Sequence, residues 1–340
     1  MSSGLAKASR GLGRVLGQHG FVLGMLAMVT IAMLWPQLGR TGGWLHSELL
    51  TDVGVALIFL LHGVSLSTEK LQQGVRNWRL HLLVQLSTFA LFPLLWLLVS
   101  PWVTTQLPLG LTLGFIYLCA LPSTVSSSVA MTAAGRGNVP GAIFNATLSS
   151  LLGVVLTPLL VGWLAGSAGG GGDLGDTMWK IARMLLLPML VGQLLRPWVW
   201  SWLAPYKPWL NRVDRGVILL LVLASFSDSV AAGVWQQFGA GIVLITVLGC
   251  GALLAVVLWL TAFIARRCRL SRTDEVALVF CGSKKTLASG VPMATLLFGA
   301  SPWLGMIVLP IMVYHQLQLL ICSVLAARYA AQESARTGAT

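Results

Sequence analysis

The chain has 340 residues, 56% of them hydrophobic and 9% charged, with a formal net charge of +12 and a mean hydropathy of +0.83. A soluble domain carries roughly 25% charged residues, so the composition excludes one and predicts an all-α polytopic membrane protein. Nucleic acid is not the predicted partner of the positive charge, because the basic residues fall in short clusters between apolar runs, as in a chain that threads a bilayer.

In chain order, Lys7, Arg10 and Arg14 precede an apolar run at 19–38 that imitates a signal peptide but lacks a small-residue cleavage site, so it reads as the first span. Nine more follow, at 48–66, 80–100, 108–134, 139–165, 177–197, 215–234, 239–265, 274–299 and 302–328. Each approaches the ~20 residues that a helix needs to cross hydrocarbon. The connections alternate in charge. One side holds Lys70, Arg76 and Arg79, then Arg136, then Arg196 to Arg215, then Arg266 to Arg272, and finally Arg328 and Arg336; the other holds little beyond Arg40, Lys180 and Arg183. The positive-inside rule places the basic side and both termini in the cytoplasm, and the chain in a plasma membrane (the inner membrane of a bacterium).

The glycine-rich stretch 166–176 divides the spans five and five, between a first repeat at 19–165 and a second at 177–328; residues 1–18 and 329–340 form cytoplasmic ends. An odd number of spans per half inverts the second half relative to the first, which is the arithmetic of inverted-repeat secondary transporters. The fourth span contains CALPSTVSSSVAMTAAGRGN and the ninth, at the equivalent place, FCGSKKTLASGVP. Pro122 and the glycines Gly282 and Gly290 interrupt helix continuation, so both spans are expected to break near the midplane, where transporters of this kind bind their ligands.

Candidate site residues lie in and beside these breaks: Ser126, Ser127 and Ser128 in the fourth span, and Ser283, Lys284, Lys285 and Thr286 in the ninth. GSKKT resembles the end of a phosphate-binding loop, but Val279 and Lys284 occupy the two positions where that motif needs glycine. A charge inside a span is functional by default because insertion costs roughly 2.5–3.5 kcal/mol; the alternative is a lysine that only lines a water cavity. The tenth span adds His315 and Gln316, with Gln318 beyond them, and adjacent helix positions imply that only one of the first two faces a cavity. Hydroxyls and amides at these positions could equally be interhelical packing groups. No GxSxG, HExxH or paired-carboxylate pattern points to an enzyme, and no cofactor is implied.

These motifs resemble the bile acid:sodium symporter superfamily, in its branch of bacterial sodium-dependent transporters related to the seventh member of the animal solute carrier bile-acid family. The most specific elements are SSSVAMTAAGRGNVPGAIFNATLSS (126–150) and GSKKTLASGVPMATLLFG (282–299), with TFALFPLL (88–95) in support. The resemblance implies a core and a panel domain, the panel built from spans one, two, six and seven, with broken helices four and nine crossing in the core. It implies alternating-access transport of an organic anion or similar small solute coupled to Na⁺, with Ser127, Ser128, Asn145 and Ser283 nearest the family's ion-binding positions.

The chain departs from that pattern. Ser128 stands about where sodium-coupled relatives carry asparagine, Ala142 and Ala146 replace hydroxyl ligands beside Asn145, and Thr88 replaces a glutamine, with Gln85 one turn earlier. Val279 falls at about the family's glutamate, and Ser283 and Lys284 at its Gln-Asn pair. A cation is thus gained where sodium ligands are lost. Lys284 or Lys285 is expected to replace a coupling ion, neutralising an anionic solute or exchanging a proton. A proton-coupled exchanger, or a regulatory membrane protein linked to calcium homeostasis as in the animal branch, are the alternatives. Substrate, direction and oligomeric state are not encoded in these motifs.

Overall fold

The computed structural model describes residues 21, 23–65, 77–167, 174–233, 235–236, 241–299 and 301–337, and among them only helices and their connections occur, with no strand. The N-terminal cluster Lys7, Arg10 and Arg14, the loop residues Lys70 and Arg76, and most of the glycine-rich stretch lie outside the described residues. In chain order the helices are α1 (Leu23–Leu34), α2 (Ser47–Ser65), α3 (Trp78–Val103), α4 (Leu109–Ala120), α5 (Ser126–Ala134) and α6 (Val139–Ser167). The second half supplies α7 (Leu174–Leu203), α8 (Lys207–Ala231), α9 (Gly241–Arg267), α10 (Arg272–Gly282), α11 (Gly290–Phe298) and α12 (Leu304–Thr337).

Among the described residues α3, α6, α9 and α12 are each long and apolar enough to cross a membrane. The fourth and ninth apolar runs are each two short helices, α4–α5 and α10–α11, interrupted at 121–125 and 283–289. Pro122 and the Gly282–Gly290 segment are thus true breaks and not kinks. α12 runs to Thr337, well past the boundary expected at 328.

α2 lies against α7, and the approach is fixed by glycine: a Cβ on Gly63 would collide with the Met189 carbonyl, and one on Gly192 with the Leu60 carbonyl. α3, α6, α10 and α12 pack around α4 and α5, and α9 packs against α10 and α12. The large buried cluster includes Phe92, Phe115, Tyr117, Leu121, Leu254 and Tyr314. Two carboxylates hold the ends. Asp274 accepts from Asn77 Nδ2 at 2.9 Å and from Asn138 Nδ2 at 2.7 Å, joining the starts of α3, α6 and α10. Ser271 caps α10 by accepting from the Asp274 backbone N–H at 3.2 Å. On α8, Asp228 accepts from the backbone N–H and hydroxyl of Thr41 at 2.7 and 3.0 Å, holding the turn that follows α1.

Candidate functional site

Pro122 ends α4 from the next residue on: Leu121 is extended (φ −67°, ψ 150°), the conformation a following proline favours. The last carbonyls of α4 therefore have no donor in their own helix. Four carbonyls at and just past this end find one elsewhere. Ala120 O accepts from Thr157 Oγ1 at 2.9 Å, and Pro122 O from the backbone N–H of Thr286 at 3.0 Å. Cys119 O and Leu121 O accept from Lys285 Nζ at 2.9 and 2.6 Å.

The third carbonyl on Lys285 comes from α3, where Thr88 O accepts at 2.8 Å. Residues Ser87–Leu91 form one π-helical turn, and Pro93 follows it. In the π register the donor for Thr88 O would be the N–H of residue 93, which proline lacks. The carbonyl is thereby free to turn to the lysine. Phe92 places its ring face 3.9 Å from Nζ, a cation–π contact that is strengthened where water is excluded.

Three carbonyl acceptors require three N–H groups, which only the ammonium form supplies. The Lys285 side chain is fully buried, its charge enclosed by backbone oxygens and one aromatic face, with two of the carbonyls at the electronegative C-terminal end of α4. Its backbone is equally fixed. Gln318 Oε1 accepts from the Lys285 N–H at 2.8 Å, and Gln318 Nε2 donates to the Lys285 carbonyl at 2.9 Å. Lys284 is held differently: its Nζ donates to Ser127 O at 2.8 Å and lies 5.8 Å from the Phe280 ring. Its Nζ has no second hydrogen-bond partner among the described residues.

The other expected site residues are held in several separate arrangements. Ser127 and Ser128 are brought together around Thr124, with hydroxyl separations of 2.7 and 2.9 Å, while Ser126 is exposed beside them. Asn145 and Gln85 are joined to each other: Gln85 Nε2 donates to the Asn145 carbonyl at 3.1 Å and to its Oδ1 at 3.3 Å. The hydroxyls of Thr88 and Ser283 fold back onto their own helices, donating to Val84 O and Val279 O; Thr88 reaches Lys285 through its backbone. Thr286 accepts from Ser289 Oγ at 3.2 Å through its hydroxyl and crosses to Pro122 through its N–H.

On α12, His315 Nδ1 lies 2.9 Å from Gln318 Nε2. That amide donates to both His315 and the Lys285 carbonyl. Gln316 lies outside this network, and its Nε2 has no hydrogen-bond partner among the described residues. Of the adjacent pair, His315 is the one that joins the crossing. Gln318, Tyr314 (donating to Ser283 O at 2.7 Å) and Tyr117 (donating to Gly290 O) also belong to it and were not among the expected site residues. Their signal in sequence is weak: polar or phenolic groups within runs that would otherwise be wholly apolar.

Apolar spans of membrane-crossing length, with two interrupted helices and two buried lysines where they meet, describe an integral membrane protein. The chain belongs to the SBF-like CPA transporter family, whose profile matches residues 19–331. It is 46% identical over 310 residues to Uncharacterized protein PA2026 of Pseudomonas aeruginosa (91% of this chain, 92% of the relative). It is 44% identical over 312 residues to Putative symporter YfeH of Escherichia coli (92% and 93%). It is 31% identical over 308 residues to Sodium/bile acid cotransporter 7 of Mus musculus (90% of each chain). Membership of a transporter family agrees with the expectation of transport and not catalysis.

Proposed function

We propose that this protein is a secondary transporter of a small organic anion that works by alternating access, with Lys285 in the place of a coupling cation and Lys284 as the counter-charge to the solute. The observation that carries the reading is the shell of Thr88, Cys119 and Leu121 carbonyls around Lys285 Nζ. Backbone carbonyls are the ligands a hard monovalent cation would take, and here an ammonium on a covalent stem fills them. Lys285 has no N–H left for a solute. Lys284, with one hydrogen bond and a position beside the Ser127–Ser128–Thr124 hydroxyls, does.

Two relatives carry the words symporter and sodium/bile acid cotransporter in their names. For Na⁺ in this chain the donors are poorly disposed. Asn145 Oδ1 accepts from Gln85, and the Ser283 hydroxyl is turned back to Val279. The reading therefore makes transport independent of Na⁺. It retains ten spans in two inverted five-helix repeats, both termini cytoplasmic, and a core that moves against a panel of α1, α2, α7 and α8. The glycine contact between α2 and α7 and the packing of the broken helices with α3, α6 and α12 support that division.

A thermal-shift screen of purified protein against anionic metabolites and sterol conjugates, with and without Na⁺, tests the proposal. A stabilising ligand should act equally in Na⁺ and in choline buffer and lose its effect in Lys284→Gln. A shift that needs Na⁺ and survives in Lys284→Gln would restore sodium coupling and remove the lysine from the solute site.

A further inference from the structure

Away from the crossing, α9 and α12 line a groove of about 600 Å³. Its walls are Leu258 and Trp259 from α9 and Leu320 and Val324 from α12, and its mouth carries Arg266 and Arg328, one from each helix. The register explains the alignment. Trp259, Ala262 and Arg266 recur at helical spacing along one stripe of α9, as do Leu320, Val324 and Arg328 along α12. The guanidinium-bearing residues stand eight residues from Leu320 and seven from Trp259, a depth of about 10–12 Å at the helical rise.

The groove is open to the hydrocarbon. Trp259 is 63% exposed, Leu320 66% and Val324 53%. Its floor is firm, because Tyr329 is buried beneath the Arg272 guanidinium, 4.2 Å from the ring, while Arg272 itself is neutralised by Glu275 at 3.2 Å. Arg266 and Arg328 are both exposed, and among the described residues no carboxylate lies within ion-pair distance of either. The other acids near this end are Asp274, which accepts from Asn77 and Asn138, and Glu333, half-buried further along α12.

An apolar trough that opens onto lipid and ends in two unpaired guanidinium groups matches a molecule with a hydrocarbon chain and a phosphate, since arginine forks bind phosphate oxygens bidentately and basic pockets between membrane helices recognise anionic headgroups. We infer that this groove is a binding site for an anionic glycerophospholipid of the leaflet on the arginine side, its phosphodiester held by Arg266 and Arg328 and an acyl chain lying along Trp259 and Leu320. The site lies on the outer face of α9 and α12, so its occupancy links the lipid to the two helices that flank the crossing without entering it. The inference rests on the membrane setting and not on the roles proposed for the lysines.

Native mass spectrometry of the purified full chain, titrated with phosphatidylglycerol or phosphatidylcholine, tests it. The wild type should retain one phosphatidylglycerol in preference to phosphatidylcholine. Arg266→Gln with Arg328→Gln should cut that preference by about 30-fold, and Val324→Trp, which fills the groove and keeps both arginines, should reduce retention as well. Arg267→Gln, on the same turn but outside the lining, should change nothing. Equal retention of the two lipids would overturn the inference. So would insensitivity to the double variant, or full retention in Val324→Trp, which would reduce the effect to surface charge. Competition by soluble glycerol phosphate as effective as by the lipid would overturn it too, by making the site one for free anions.

Discussion

Lys284 and Lys285 are adjacent, equally buried and chemically identical, yet the crossing gives them different tasks. The difference lies in acceptors that have no residue type. Thr88, Cys119 and Leu121 contact Lys285 through their carbonyls, so a reading of side chains could single out the lysines but not distinguish between them. Pro122 was the legible part, since it ends α4 and leaves carbonyls there without helical donors; Pro93, which frees the Thr88 carbonyl, stood in TFALFPLL without a role assigned to it. Gln318 was visible with His315 and Gln316 in the HQLQ stretch of α12; its two bonds to the Lys285 peptide group were not. The asymmetry has a measurable consequence. Lys285→Met strips three carbonyls of their donors and should destabilise the protein by on the order of 2–4 kcal/mol in a detergent-titrated unfolding series. Lys284→Met removes one bond and should cost about 1 kcal/mol or less on the same measurement. Equal losses would contradict the division between a structural cation and a solute-facing one.

At the level of elements, the interruptions in the fourth and ninth runs followed from proline and glycine, because backbone chemistry acts locally and shows in the chain itself. The anchors between elements did not follow, because they join residues far apart in sequence. Asn77, Asn138 and Asp274 form one such anchor, in which a single carboxylate holds the start of three helices. Nothing in the sequence marked either asparagine. Asp274→Asn exchanges a charged acceptor for an amide and weakens two charge-assisted hydrogen bonds, each worth roughly 1.5–3 kcal/mol. The melting temperature should fall by a few degrees, and amide exchange should rise at 77–80 and 138–141 before it rises elsewhere. Uniform exchange across the chain would show that the anchor is not local.

The molecule as a whole carries its own reporter of orientation. Among the described cysteines Cys119, Cys250, Cys281 and Cys322 are buried and Cys268 is exposed, at the arginine-rich end of α9. A membrane-impermeant maleimide should therefore leave intact cells unlabelled and label Cys268 in inside-out vesicles, with Cys268→Ser abolishing the signal; labelling of intact cells would reverse the assigned orientation. The carbonyl shell around Lys285 has a consequence at this scale too. A free ion that accompanies a solute is released on the far side and leaves its gradient a little smaller; an ammonium on a side chain travels back with the protein on every turn. On the proposed reading such a carrier draws on no Na⁺ gradient, and each cycle moves only the solute's own charge. The electric field across the bilayer, worth about 2.3 kcal/mol per charge per 100 mV, then acts on the anion alone. With the cell interior negative, that field pushes toward export.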